Sequence, residues 1–275
     1  MKGFVRWNVS SRARQLSGGD ILFVSIPKSG RTWVRTFLCA YFCEKVGRPF
    51  TLEPEKYGAP RVIYTHDLFE QRTKARRWDL VRGKYLIPKR ERDRLPVILL
   101  ARDPRDAFVS LHIQLTRRTK ETPEKLRRTS SSELLRDPAF GIESMIEVMN
   151  CWLAEWGSRP DFLLLRYESL REAPANGFGD LFRWLGETIS EKAFDHALTF
   201  SDFEHMQKLE SVGGFDSKIL RAGDAQDPES FKVRRGKIGG FEDYLSPDDQ
   251  AFASAAMRRL DPRFDYVSKP NSPAK

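Results

Sequence analysis

The sequence has few cysteines and no long apolar segment. Its 275 residues include an odd number of cysteines, Cys39, Cys43 and Cys151, too few for a disulfide framework, so reduced thiols are expected. No apolar run approaches the roughly 20 residues that a helix needs to cross a bilayer. The first 20 residues are polar and contain arginines, unlike a secretory signal. We therefore expect a cytoplasmic protein without a transmembrane segment.

Several functional motifs are also absent. No cluster of histidines, cysteines and carboxylates predicts a metal site. The Walker A string, Gly-x4-Gly-Lys-Ser/Thr, does not occur, which argues against an ATP-hydrolysing P-loop enzyme. No recognised nucleic-acid motif accompanies the net charge of +9, although that charge favours anionic partners in general.

Strands alternate with helices along the chain. Short apolar runs bounded by turn residues predict buried parallel strands at Ile21–Ile26, Val62–Thr65, Val97–Ala101 and Phe162–Leu165. Helical periodicity predicts helices at Thr32–Val46, Phe140–Trp156, Phe178–Gly186, Ser190–Thr199 and Pro247–Leu260. This alternation predicts a single three-layer α/β domain with a central parallel sheet flanked by helices.

The chain shows no internal repeat and no convincing linker. We predict one domain over residues 1–275, with a core at about 20–262 and irregular ends at 1–19 and 263–275. Segments 47–60, 115–139 and 211–236 are polar or rich in glycine and proline, so they are predicted to be loops inserted in that domain.

A candidate phosphate-binding loop joins the first predicted strand to the first helix. Its sequence is Pro-Lys-Ser-Gly-Arg-Thr-Trp, over Pro27–Trp33. A helix N-terminus binds phosphate through its unpaired N–H groups and its dipole. Gly30 would let the backbone approach the anion, Lys28 would add a charge, and Ser29 and Thr32 would add hydroxyl donors.

A second candidate site follows the third predicted strand. Arg102-Asp103-Pro104 opens a helix that carries Ser110 two turns later. In open α/β folds ligands bind at the carboxyl edge of the sheet, which is where Arg102 should lie. An arginine with a nearby hydroxyl can hold a terminal phosphate, because the guanidinium binds two oxygens at once.

Together these motifs resemble the cytosolic-type sulfotransferases that use 3′-phosphoadenosine 5′-phosphosulfate (PAPS). Pro27–Trp33 is similar to the family's 5′-phosphosulfate loop, Pro-Lys-Ser-Gly-Thr-Thr-Trp, with Arg31 in place of a threonine. The stretch from Arg102 to Ser110 is similar to its 3′-phosphate motif. The resemblance implies PAPS as sulfuryl donor, adenosine 3′,5′-bisphosphate (PAP) as product, and no metal. It extends from the first strand to Gly239 in the family's order.

Later motifs complete the implied nucleotide site. Val233–Gly240 resembles the segment that folds over the nucleotide, which implies that Arg234, Arg235 and Gly236 contact the 3′-phosphate. Arg166–Leu170 and Phe200–Met206 resemble two further family motifs. By that resemblance Trp33, Tyr167 and Phe203 surround the adenine and Ser201 contacts the cofactor.

The resemblance also identifies a reacting centre. Tyr64-Thr65-His66 ends the second predicted strand, where the family carries Lys-Thr-His. His66 would be the base that removes the acceptor proton, a task that suits an imidazole with an ordinary pKa of about 6.5. Lys28 would neutralise charge on the departing phosphate. Tyr64 replaces the family's lysine, so either another cation such as Arg31 substitutes for it or the enzyme is slower.

The acceptor is expected to be a hydroxyl-bearing small molecule, glycan or lipid. Residues 71–94 hold ten Lys and Arg against three acidic residues, which suggests an anionic acceptor or simply a solvated face. The sequence does not decide the oligomeric state. Two other functions stay open: a nucleotide or small-molecule kinase that uses the same loop, and a basic nucleic-acid-binding protein, although no nucleic-acid partner is expected.

Overall fold

A parallel sheet forms the centre of the molecule, as predicted. The computed structural model describes residues 18–74, 86–119, 122–211, 231 and 236–266. The strands are β1 (Ile21–Ser25), β2 (Val62–Thr65), β3 (Val97–Ala101) and β4 (Phe162–Arg166), in the spatial order β2-β1-β3-β4. All three pairings are parallel. The predicted strands are confirmed, with ends that differ from the prediction by at most one residue.

Helices connect and follow the strands. The α-helices are α1 (Arg31–Lys45), α2 (Asp67–Lys74), α3 (Lys89–Arg94), α4 (Pro104–Ile113), α5 (Glu124–Arg127), α6 (Ser131–Leu135), α7 (Ile142–Trp156), α8 (Tyr167–Glu172), α9 (Pro174–Trp184), α10 (Glu191–Phe200), α11 (Phe203–Ser211) and α12 (Pro247–Met257). Short 3₁₀ helices cover Pro54–Tyr57, Gly240–Asp243 and Pro262–Phe264, and a π-helical turn covers Gln114–Arg118.

Apolar side chains fill both faces of the sheet, because successive strand residues point to opposite sides. Leu22 and Val24 of β1 belong to the core that contains Trp152 of α7. Phe23, between them, belongs to the core that contains Phe37 of α1 and Phe178 of α9. The rings of Phe37 and Phe178 stack at 3.7 Å. The fold is therefore the predicted three-layer α/β domain.

Several short helices were not predicted. The prediction of a loop over 115–139 is wrong, since this segment contains the π-helical turn, α5 and α6. A capping box between Ser130 and Glu133 starts α6, which buries only Leu134 and Leu135. So short an element shows no helical periodicity in the sequence. Most of the predicted loop 211–236 lies outside the described residues, and the predicted domain bounds remain a prediction.

Candidate active site at the carboxyl edge of the sheet

Each strand of the sheet is followed by a predicted site residue. The loop of Lys28 follows β1, His66 follows β2, Arg102 follows β3, and Tyr167 follows β4. Because all four strands run in the same direction, these residues lie at one edge of the sheet, where open α/β folds bind ligands. Lys28 and Tyr167, 139 positions apart in the sequence, thus lie at the same edge.

The phosphate-loop candidate turns sharply into α1. Gly30 is the N-cap of α1 and has a φ of +94°, in the left-handed region that favours glycine. Lys28 has a φ of +70°. This conformation is costly for a residue with a Cβ, and such strained residues are concentrated at functional sites. The Ser29 hydroxyl donates a hydrogen bond to the Ile26 carbonyl at 3.0 Å. Its side chain therefore shapes the loop.

Gly30 also allows a close approach between the loop and α8. A Cβ placed on Gly30 would lie 2.6 Å from Cδ2 of Tyr167, well inside van der Waals contact. The Tyr167 ring can pack against the loop because Gly30 has no side chain. A glycine is therefore required here on two grounds, its backbone conformation and the space that Tyr167 occupies.

Arg102 joins the loop to the end of β3. Its Nη1 donates a hydrogen bond to the Lys28 carbonyl at 2.8 Å, and its guanidinium carbon lies 4.4 Å from the centre of the Tyr167 ring. The residue is 9% exposed, and its buried Nε has no hydrogen-bond partner in the part of the chain that the structure describes. A buried guanidinium with unused donors is suited to bind an anion bidentately.

Helix α4 carries the rest of the second candidate site. Asp103 caps the helix by accepting a hydrogen bond from the Arg105 N–H at 2.9 Å. The Asp106 carboxylate accepts the N–H groups of Gly239 and Phe241 at 2.8 and 2.9 Å, which docks that late segment on α4. Burial raises the pKa of Asp106, although the nearby charge of Arg102 opposes the change. Ser110 is half-buried, two turns along α4.

Aromatic rings cluster beside Arg102. Trp33 packs edge-on against Tyr167 at 5.9 Å. The Arg171 guanidinium carbon lies 5.8 Å from the Trp33 ring and 5.3 Å from the Phe203 ring, so it connects the two aromatics. A Cβ on Gly236 would lie 2.9 Å from the Phe203 ring, which puts Gly236 in the same cluster. The structure thus brings together the residues that the resemblance assigned to the adenine.

Arg171 contacts two residues of the candidate site, and the sequence reasoning did not name it. It follows Tyr167 by four residues on α8, a spacing that places two side chains on one face of a helix. That spacing could have identified it. Ser201 is buried at the end of α10, just before Phe203. Arg234 and Arg235 lie outside the described residues.

His66 is oriented by the end of β1. Its Nδ1 lies 2.6 Å from the Ser25 carbonyl oxygen, which can only accept a hydrogen bond. Nδ1 is therefore the nitrogen that carries the proton in a neutral imidazole, and Nε2 is then the acceptor nitrogen. The next residue, Asp67, has a φ of +27° and accepts the N–H groups of Leu86 and Ile87 at 2.8 and 3.1 Å. These bonds fix the backbone beside the imidazole.

Tyr64 lies on β2, two residues before His66, and packs on the α1 side of the sheet near Arg31 and Arg35. The Tyr64 ring packs 5.1 Å from Phe23, and the Arg35 guanidinium carbon lies 5.5 Å from its centre. Burial raises the pKa of Tyr64, so its hydroxyl stays protonated. Burial also lowers the pKa of Arg31, while the charges of Glu70 and Tyr64 oppose that change. A guanidinium remains charged under such conditions.

A cavity of about 760 Å³ opens beside β2. Leu38, Phe42 and Leu52 give it an apolar wall, whereas Arg35 and Glu55 bring charge. Tyr64, two residues before His66 in the chain, also lines the cavity. The cavity is large enough for a small organic molecule.

The basic stretch is divided in the fold: its first residues, 71–74, end helix α2 just after His66, whereas α3 lies at the opposite edge of the sheet. Helix α3 leads into the start of β3, and Arg94 donates to the Gly19 carbonyl beside the start of β1 at 3.3 Å. Arg92 pairs with Glu155, and Arg72 of α2 pairs with Glu147 at 2.7 Å. These pairs are typical of a solvated face. Residues 75–85 lie outside the described residues.

Metal-ligand clusters and membrane-spanning helices are both absent from the described residues. No group of three or more histidine, cysteine, aspartate or glutamate side chains in these ranges could hold a metal ion. No helix within the same ranges is long and apolar enough to cross a membrane. The other three histidines, His112, His196 and His205, lie on α4, α10 and α11.

Comparison with known proteins identifies a family and a fold. The model of the sulfotransferase domain family matches residues 18–260. Cytosolic sulfotransferase 13 of Arabidopsis thaliana is 25% identical over 254 residues, covering 86% of this chain and 75% of that protein. A 3-alpha-hydroxysteroid sulfotransferase of Cavia porcellus is 24% identical over 232 residues, covering 82% and 78%. The fold is similar to mouse sulfotransferase SULT7A1 complexed with PAP, with a TM-score of 0.58, 17% identity and coverage of 88% and 84%.

Proposed function

Because the chain belongs to the sulfotransferase domain family, we propose that it transfers the sulfuryl group of PAPS to a hydroxyl of an acceptor and releases PAP. The observation that carries this proposal is Arg102, a buried guanidinium that contacts the phosphate loop and keeps an unused donor. One residue thereby links the site for the 5′-phosphosulfate to the site for a second phosphate. A nucleotide with phosphates at both ends of its ribose fits that arrangement.

The loop between β1 and α1 would hold the phosphosulfate. Its backbone N–H groups and the positive end of the α1 dipole favour an anion. Lys28, Arg31 and Thr32 add side-chain donors, whereas Ser29 would contribute mainly its backbone, since its hydroxyl is used inside the loop.

The 3′-phosphate would lie between β3 and the segment after residue 231. Arg102 and Ser110 would approach it from the sheet and α4, and Gly236 from the segment that docks on α4. Arg234 and Arg235, which lie outside the described residues, would bind it as the resemblance implies. The adenine would stack in the cluster of Trp33, Tyr167 and Phe203, beside Ser201 and Arg171. Aromatic side chains stack favourably on a planar base.

His66 would be the base. Its Nε2 accepts the proton of the acceptor hydroxyl while the hydroxyl oxygen forms a bond to sulfur. The bond between sulfur and the bridging oxygen breaks in line, and the electron pair stays on the phosphate of PAP. Lys28 neutralises the negative charge that builds on that bridging oxygen. Tyr64 donates a hydrogen bond to a sulfuryl oxygen, and no metal takes part.

The acceptor is a hydroxyl-bearing small molecule, glycan or lipid. A relative acts on a hydroxysteroid by its name, and the cavity beside Tyr64 has the apolar wall that such a molecule needs. We also propose that the acceptor is anionic and that Arg76 and Arg77 of the basic stretch 71–94 attract it. The proposal also includes no nucleic-acid partner. It further includes a cytoplasmic location, which the name of the Arabidopsis thaliana relative, a cytosolic sulfotransferase, supports.

Binding to immobilised PAP tests the proposal. The protein should be released from the column by free PAP but not by ATP, and should then transfer labelled sulfate from PAPS to an acceptor. Release by ATP together with magnesium-dependent phosphate transfer would favour the kinase, and release by nucleic acid alone would favour the nucleic-acid-binding protein.

Arg102→Ala adds a sharper measurement. Since Arg102 would contact only the 3′-phosphate, its loss should weaken PAP binding by a factor of about 10–100, as expected for a charge-assisted hydrogen bond. Binding of adenosine 5′-monophosphate (AMP) should weaken much less, because AMP lacks the 3′-phosphate and would be affected only through the contacts of Arg102 with Lys28 and Tyr167. Equal losses for the two nucleotides, measured by calorimetry, would show that another residue binds the 3′-phosphate.

A further inference from the structure

The ends of β3 and β4 are held together by contacts between Arg102-Asp103 and Tyr167-Glu168. Ala101 pairs with Arg166 in the sheet, so the residues that follow them are neighbours. The Arg102 guanidinium lies over the Tyr167 ring at 4.4 Å. One residue further on, the Asp103 N–H donates to Oε1 of Glu168 at 3.0 Å. A buried carboxylate thus holds the backbone next to Arg102.

The C-terminal part of the described chain contacts the same carboxylate. The Tyr266 hydroxyl donates to Oε2 of Glu168 at 2.7 Å. Arg166 holds the segment from the other side, with its guanidinium carbon 4.8 Å from the Tyr266 ring and a 2.7 Å bond to Asp265. Phe264 is fully buried and anchors the turn before it. Both carboxylate oxygens of Glu168 therefore have defined partners.

We propose that Tyr266 and Glu168 are positioning residues that set the place of Arg102 for the 3′-phosphate. Tyr266 holds Glu168, Glu168 holds the Asp103 N–H, and Asp103 is the residue after Arg102. Neither proposed residue needs to touch the nucleotide. The inference rests on the proposed function, since it concerns how the PAP site is assembled.

The geometry explains why so distant a residue should matter. Asp103 also caps α4 and binds the Arg105 side chain at 2.6 Å, so a shift of Asp103 moves the start of that helix. Arg102 bonds the Lys28 carbonyl in one direction and must reach the phosphate in another. A bidentate contact depends on a defined guanidinium orientation, so a small displacement weakens it.

Tyr266→Phe is the direct test, because it removes one hydroxyl and keeps the ring. We expect the Kd for PAP to rise about three- to tenfold, the range for one hydrogen bond, while the Kd for AMP stays within about twofold. A purely structural anchor predicts a lower unfolding free energy with an unchanged ratio of the two Kd values. That unchanged ratio would overturn the proposal.

The chain offers a matched control in Tyr41→Phe. The Tyr41 hydroxyl also donates to a glutamate, Glu187, at 2.8 Å, but it lies on the last turns of α1, away from the carboxyl edge of the sheet. This variant loses the same kind of bond and should bind PAP and AMP as the wild type does. If Tyr41→Phe weakened PAP binding as much as Tyr266→Phe, general destabilisation would be the cause and the proposal would fail.

Substitutions of Glu168 separate its hydrogen bonds from its charge. Glu168→Gln keeps an oxygen for the Asp103 N–H and an amide for the Tyr266 hydroxyl oxygen, so it should retain most of the preference for PAP over AMP. Glu168→Ala should lose much of that preference. Equal preference in both variants would contradict the positioning role.

Failure of the proposed function would look different. A wild-type protein that does not prefer PAP over AMP would overturn the proposed function and this inference together. A wild type that prefers PAP, loses the preference in Arg102→Ala and keeps it in Tyr266→Phe would overturn the inference alone.

Discussion

Replacement of Gly30 by alanine should disable the nucleotide site through Tyr167. At a φ of +94° a Cβ costs about 1–2 kcal/mol by itself. The added methyl would also lie 2.6 Å from the Tyr167 ring, so the ring must move. Arg102 stacks on that ring at 4.4 Å, and its displacement should break a charge-assisted contact to the 3′-phosphate. We expect the Kd for PAP to rise about tenfold or more.

Gly58→Ala separates the two causes. Gly58 has a φ of +84°, but a Cβ built on it would meet no atom within 4 Å. This variant should therefore lose about 1–2 kcal/mol in the free energy of unfolding and bind PAP normally. The Gly30 variant should lose more stability than the Gly58 variant, by the cost of moving Tyr167.

Urea unfolding and calorimetric titration with PAP measure both quantities on the same samples. The reasoning is refuted if Gly30→Ala and Gly58→Ala lose equal stability and both keep the wild-type Kd for PAP. That result would mean that Tyr167 moves freely and does not support Arg102.

Three further predictions concern the reaction. His66→Ala should lower the turnover number by a factor of about 10²–10⁴ with the Kd for PAP unchanged, and wild-type turnover in this variant would exclude His66 as the base. Arg31→Thr should lower turnover about 10- to 100-fold, and adding Tyr64→Lys should restore much of it if a cation beside His66 is what matters; no recovery would show that Arg31 does not substitute for the family's lysine. If the acceptor is anionic, its KM should rise as salt screens charges beyond about 8–10 Å, and charge reversal at Arg76 and Arg77 should raise it further without changing the KM for PAPS; an acceptor KM that ignores both changes would contradict an anionic acceptor.

Much of the fold could be predicted because buried parallel strands leave a plain signal. A strand covered on both faces is a nearly continuous apolar run, as in Val97–Ala101, and such runs end within one residue of the observed strand ends. The candidate site residues could be named for a related reason. Lys28, His66 and Arg102 each follow a strand, and parallel strands bring their carboxyl ends together whatever their order.

The short helices could not be predicted. Helix α6 has five residues and α3 has six, which is too few for an apolar periodicity to appear. The role of the Ser29 hydroxyl was also hidden. Its bond to the Ile26 carbonyl depends on the exact turn of the loop, and residue type alone does not show it.

The sequence by itself determined which residues end the strands and which chemistry they offer, because those properties are local. Only the tertiary structure decided which of them meet. The strand order β2-β1-β3-β4 sets Arg102 beside Tyr167 and the end of β2 beside the end of β1. It also brings Tyr266 onto Glu168, 98 positions earlier in the chain. Contacts between residues so far apart depend on the packing of whole elements, and no window of sequence carries that information.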